Sequence, residues 1–98
     1  MTKYRAVKTV VDGIKFDSKK EAAYYVKLKI DMASGAVKYF LRQVPFHLPG
    51  GKRYVCDFMV VDSEGQIEFT DIKGKITPVY ALKKSIVEAT YPIKIKEI

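Results

Sequence analysis

Asp71-Ile72-Lys73 closes a run of strand-forming residues, and Gly74 follows at once, leaving room for a backbone to approach a ligand. Side chains alternate along a strand, so Asp71 and Lys73 point the same way as Phe69 and Ile67, while Glu68, Thr70 and Ile72 point to the other side. Upstream, Asp57 lies inside the apolar stretch from Tyr54 to Val61, on the face of Val55 and Met59. A carboxylate there is costly unless something compensates for it. If the two strands pair through the polar turn Asp62-Ser63-Glu64-Gly65, two carboxylates and an ammonium converge on one sheet face. A third acid, Glu21, falls on the helical stripe of Tyr25, Leu28 and Met32, which should face the sheet. Acids grouped beside an amine suit phosphodiester hydrolysis. Carboxylates and a backbone oxygen hold a hard divalent cation, and the lysine orients water or offsets charge that develops in the transition state.

Each of these residues also has a plain structural reading. Isolated D-x-K tripeptides are common, and a surface ion pair accounts for most of them. Glu21 lies three residues after Ser18, the capping-box spacing, so cap and site stand side by side for it. The rest of the composition narrows the chemistry. One cysteine, Cys56, and one histidine, His47, in 98 residues exclude a disulfide framework and any cysteine- or histidine-rich zinc site. Cys56 reads as a small buried hydrophobe with Tyr54 and Phe58 as same-face neighbours. The 18 Lys and Arg against 11 Asp and Glu leave a net charge of +7, which favours a polyanionic partner such as nucleic acid. The basic residues gather at 1–20 (Lys3, Arg5, Lys8, Lys15, Lys19 and Lys20) and beyond Lys73, whereas 57–71 holds five acids and no Lys or Arg. A protein that only holds phosphates has no use for that acidic island unless a cation sits between. No apolar run approaches the roughly 20 residues of a membrane span, and the first residues do not resemble a signal peptide. The expectation is a cytoplasmic protein without a membrane partner.

The elements that must position these groups follow from local signals. Lys8 to Phe16 reads as a short hairpin turning at Asp12-Gly13. A helix opens after Ser18 and runs to Ser34, with Gly35 closing it. Val37 to Leu48 reads as a strand, Pro49-Gly50-Gly51-Lys52 as a turn, and Arg53 to Val61 and Gln66 to Lys73 as two more strands. Thr77-Pro78 opens a second helix with Val79, Leu82 and Ile86 as its buried stripe. Tyr91-Pro92 ends that helix, and Ile93 to Glu97 forms the last strand. Ile30 and Ala23 fall on the back of the first helix. The order predicts one α/β domain over 1–98, a central mixed sheet flanked by helices.

Helix acid Glu21, then Arg53-Tyr54-Val55-Cys56-Asp57-Phe58 on a strand, then Asp71-Ile72-Lys73-Gly74 on the next, resembles the PD-(D/E)xK nuclease superfamily. The likeness is to its small archaeal-type and phage-encoded Holliday junction resolvases. Gly13-Ile-Lys-Phe-Asp-Ser-Lys-Lys-Glu21-Ala, and Gln43 within Leu-Arg-Gln-Val-Pro-Phe, resemble short phage proteins of that superfamily. Two positions depart from the signature: Cys56 stands where a proline is usual, and Asp71 where glutamate is frequent. The resemblance implies a restriction-endonuclease-like core and a Mg²⁺-dependent endonuclease, with Mn²⁺ as a possible substitute. Asp57, Asp71, Glu21 and the Ile72 carbonyl would hold the metal, and Lys73 would be the catalytic lysine. DNA contacts are expected from Ser18, Lys19 and Lys20 at the start of the first helix, from Gln43 and from Lys75. A solvated face accounts equally well for any single lysine. The function expected is structure-selective cleavage of four-way junctions by a homodimer, in the host cytoplasm if phage-encoded. The alternatives are a general or restriction- or repair-like nuclease, and a non-catalytic nucleic-acid-binding module of the same fold.

Overall fold

In the computed structural model, residues 8–98 are described; Lys3 and Arg5 of the basic N-terminal segment lie outside them. Strands β1 (Thr9–Val11) and β2 (Ile14–Phe16) form an antiparallel hairpin. Its turn carries positive φ at both Asp12 (53°) and Gly13 (76°), the geometry that matches the twist of a two-residue hairpin. Helix α1 (Lys19–Ser34) starts where the Ser18 hydroxyl accepts the Glu21 N–H and ends at Gly35, whose left-handed backbone returns its N–H to Met32. Strands β3 (Val37–His47), β4 (Arg53–Asp62), β5 (Ile67–Asp71) and β6 (Ile95–Glu97) form the main sheet in the order β3-β4-β5-β6. The β5/β6 pair is parallel and the others antiparallel, so the sheet is mixed. Helix α2 (Pro78–Thr90) connects β5 to β6, with Thr77 as its cap.

The sheet separates two apolar cores. On one side Phe16, Ala22, Tyr25 and Leu28 pack with Phe58 and Val60 under α1 and the hairpin. On the other, Phe46, Tyr54, Cys56, Tyr80, Val87 and Ile95 pack under α2. The strand alternation does not run through unbroken. Tyr54 and Cys56 belong to the α2-side core, whereas Phe58 and Val60, which would share their face on a regular strand, belong to the α1-side core. The switch falls where β3 and β4 oppose Gln43 to Asp57. Arg42 pairs with Phe58 and Val44 with Cys56, but the intervening residues make no ladder pair, and Gln43 has φ +54°. The expectation that Cys56 and Phe58 share a face is therefore corrected: a left-handed residue turns the ribbon over between them.

The stripe expected on α2 is also corrected. Val79 and Leu82 are 64% and 61% exposed, and the helix buries Tyr80 and Val87 instead, with Ile86 half-buried. Its rotation is set by a polar requirement. The Tyr80 hydroxyl reaches the buried Asp71, which turns Val79 and Leu82 outward to line a cavity of about 700 Å³ with Leu48, Pro49 and Ile86. On α1, Glu21, Tyr25 and Leu28 are buried as expected, but Met32 is exposed beside Ile30 and Val26. None of the described helices is long and apolar enough to cross a membrane.

Two substitutions separate core from surface on this account. Phe58→Ala empties the α1-side core and should cost about 3–5 kcal/mol. Leu82→Gln should change stability by less than about 0.5 kcal/mol. Urea unfolding of the two variants checks both, and a large loss at Leu82 would mean that α2 is rotated the other way.

Candidate active site

The β4/β5 ladder runs from Val61–Ile67 to Phe58–Thr70. One step further Asp57 would face Asp71, and there side chains replace the backbone ladder. The Asp57 N–H donates to Asp71 Oδ1 at 2.9 Å, and the Ile72 N–H donates to Asp57 Oδ2 at 2.9 Å. Each carboxylate is thus fixed by the backbone of the opposite strand, and the two aspartates that the sequence placed on adjacent strands are brought together. Gln43, opposite Asp57 on the other side, presents its Nε2 to Asp57 Oδ1 at 3.5 Å, a long contact.

Asp71 is 1% exposed and reaches the α2 side, where the Tyr80 hydroxyl donates to Oδ2 at 3.1 Å. Burial raises the Asp71 carboxyl above the usual range. The Asp57 N–H, the Lys73 charge and the Tyr80 hydroxyl all pull it down without overcoming burial. Lys73 lies beside it, its Nζ over the Tyr80 ring at 4.3 Å from the centroid. The segment is stitched along its other edge: the Ile98 N–H donates to the Asp71 carbonyl at 3.0 Å, and the Lys73 N–H to the Ile98 carbonyl at 2.9 Å. Ile72, between them, directs its N–H to Asp57. In an extended chain the carbonyl of a residue lies on the same edge as its N–H, so the Ile72 carbonyl also faces β4.

Glu21 approaches from α1. Its N–H satisfies the Ser18 cap, while its carboxylate is buried near Asp57 and Arg42, so the cap leaves the side chain directed toward the sheet acids. Burial first, and the Asp57 charge second, push its carboxyl above the usual range, against Arg42. That arginine is a poor partner: Nη2 stands 3.9 Å from Glu21 Oε2, beyond hydrogen-bond distance, and Nε is buried without an acceptor. Its guanidinium lies 4.6 Å from the Phe16 ring centroid. Lys19, Lys20 and Lys75 are exposed.

The acids form a row more than a cage. Glu21 is on the α1 side, Asp71 on the α2 side and Asp57 between them. Among the described residues, no three Asp, Glu, His or Cys side chains are close enough to surround a metal ion. The donor chemistry nevertheless suits a hard cation. All candidate ligands are oxygens, and the buried Glu21 carboxylate is repelled by the half-buried Asp57 with only a distant guanidinium as its counter-charge. Cys56 plays no part: it is fully buried and its thiol is pushed up to about 11, mainly by burial. Two residues here were not singled out for the site from the sequence. Arg42 sits in a strand between Leu41 and Gln43, and its surroundings are made by Phe16 and Glu21 on other elements. Tyr80 is one of seven tyrosines, and nothing in the sequence distinguishes it.

Residues 1–97 match the family described as "Protein of unknown function (DUF1064)", and the chain belongs to that family. No curated protein matches it.

A carboxyl raised on folding costs stability once it ionises. Glu21 therefore stabilises the fold most at pH well below its ordinary 4.5 and loses that contribution as the pH rises through its raised value. Glu21→Gln should melt higher than the parent at pH 7, with the gap closing toward pH 3. Melting curves across that range check this, and a lower melting temperature at pH 7 would show that the Arg42 contact outweighs burial and repulsion.

Proposed function

We propose that this member of the DUF1064 family is a metal-dependent DNA endonuclease acting on branched DNA, with the four-way junction as substrate and the homodimer as working form. The observation that carries the reading is the reciprocal bonding of Asp57 and Asp71. It holds two carboxylates rigidly at the end of a strand pair, with Glu21 on one side and Lys73 on the other. A structural ion pair needs no such arrangement, because holding an acid as buried as Asp71 beside a second carboxylate costs the fold stability.

The chain's own residues divide the work. Asp57, Asp71, Glu21 and the Ile72 carbonyl would hold Mg²⁺, or Mn²⁺ in its place; when bound, the ion supplies Lewis acidity and a water polarised for attack on phosphorus. Lys73 presents an ammonium beside the acids, where it orients the attacking water or offsets negative charge developing on the phosphate. Its ring contact with Tyr80 restricts where that ammonium sits. Gln43 holds Asp57 from the opposite side. Exposed Lys19 and Lys20, in the first turn of the helix that carries Glu21, and Lys75, two residues beyond Lys73, are placed to meet phosphates. The net charge of +7 provides the long-range attraction. Two nicks at a junction require two sites, and a 98-residue chain with one site supplies them as a two-fold pair.

Purified protein with Mg²⁺ should place paired nicks in a synthetic four-way junction and leave linear duplex of the same sequence largely intact. Lys73→Ala and Asp57→Asn should each lower the cleavage rate at least about a hundredfold while junction binding persists. Asparagine still accepts the Ile72 N–H, so loss of fold does not confound that variant. Gel assays of cleavage and binding decide the matter. Equal cutting of junction and duplex points to a general nuclease, binding without cleavage by the parent chain to a non-catalytic module, and full activity in either variant to a different site.

A further inference from the structure

We propose that Tyr80 is a positioning residue that couples the candidate metal ligand Asp71 to the candidate catalytic lysine. The inference rests on the nuclease reading above and goes beyond it, because it ties helix α2 to the chemistry. One side chain touches both groups: its hydroxyl donates to Asp71 Oδ2 at 3.1 Å, and its ring face lies 4.3 Å from the Lys73 ammonium. The hydroxyl fixes which way the carboxylate plane turns, since Oδ1 is already held by the Asp57 N–H. The ring fixes where the ammonium sits relative to that carboxylate.

Core filling does not account for this residue. Tyr80 is 9% exposed among Tyr54, Val87 and Cys56, a setting that would take phenylalanine with no hydroxyl to satisfy. Facing it inward leaves Val79 and Leu82 in water, so the helix forgoes apolar burial to bring a phenol to an acid. The position is also locked from its own backbone, because the Tyr80 N–H caps onto the Thr77 hydroxyl at 3.1 Å in the first turn of α2. On the far side, Glu97 is engaged by Lys84 at 2.9 Å, which gives that acid a cation other than Lys73. Glu97 still stands near the Tyr80 hydroxyl and the Lys73 charge, so the phenol and the ammonium face Asp71 with Glu97 on the far side.

Two variants separate the hydroxyl from the ring. Tyr80→Phe keeps the ring and removes the donor to Asp71. The Mn²⁺ concentration for half-maximal junction cleavage should rise about tenfold, the effect of one hydrogen bond to a charged group. The rate at saturating Mn²⁺ should stay within about twofold of the parent. Tyr80→Leu also removes the ring, and the rate at saturating Mn²⁺ should then fall a further tenfold or so. Proton NMR gives the signature that a packing role would not produce. The Lys73 methylene resonances next to Nζ should be shifted upfield by the ring in the parent and in Tyr80→Phe, and return to ordinary positions in Tyr80→Leu. Calorimetric titration of the DNA-free protein with Mn²⁺ keeps the two claims apart. A parent chain that binds Mn²⁺ and cuts no DNA overturns the nuclease reading, while a tenfold weaker Mn²⁺ affinity in Tyr80→Phe still upholds the Asp71 role. Unchanged Mn²⁺ affinity and unchanged cleavage in both variants overturn the role of Tyr80 whatever the chain cuts. A parent that neither binds Mn²⁺ nor cuts overturns both.

Discussion

Between β4 and β5 the backbone ladder gives way at the point where two aspartates face each other. Strand β4 does not run out there, since it begins four residues earlier at Arg53. The ladder stops because the Asp71 carboxylate takes the Asp57 N–H and the Asp57 carboxylate takes the Ile72 N–H. Charge-assisted bonds of this kind are stronger than the amide–carbonyl bonds they replace, which helps a buried acid survive without a nearby arginine. Other features of the molecule follow from holding these two carboxylates in place. The Asp71 edge is secured by Ile98, Glu21 is turned inward from its cap, and α2 is rotated to deliver a phenol.

The reversal at Gln43 belongs to the same constraint. A non-glycine residue at φ +54° costs on the order of 1 kcal/mol, and it persists only where the surroundings require it. Here it turns over the β3/β4 ribbon, so that one pair of strands covers an α1-side core with Phe40, Phe58 and Val60 and an α2-side core with Val44, Phe46, Tyr54 and Cys56. The acids sit at the crossing, Glu21 and Asp71 buried and Asp57 half-buried between them. There side chains from the two helices approach the two facing aspartates: Glu21 from α1 toward Asp57, and Tyr80 from α2 toward Asp71.

Much of the framework was legible in the amino-acid order because its signals are local. Asp12-Gly13 specified the hairpin, Ser18 and Thr77 the helix starts, and Gly35 a helix end. The D-I-K tripeptide fell at a strand end, with a second aspartate one strand away. What could not be read depends on groups distant in the chain. The face of α2 looked apolar through Val79 and Leu82, and only the partner nine residues earlier, Asp71, explains why Tyr80 turns inward instead. Nothing local in Leu41-Arg42-Gln43-Val44 announces a left-handed residue, because the cause lies across the sheet at Asp57. Arg42 was passed over for the same reason, since its environment is made by Phe16 and Glu21 on other elements.

The kink at Gln43 has one more effect. Strand β3 is an outer strand of the main sheet as described, and its 11 residues would offer a long row of open amides and carbonyls to any extended chain. Pro45 lacks an amide hydrogen, and the left-handed turn two residues before it breaks the flatness that such docking needs. The pair leaves only the stretch from Val37 to Arg42 as a regular open edge, so the same distortion that accompanies the acid row shortens the surface on which an extended chain could pair.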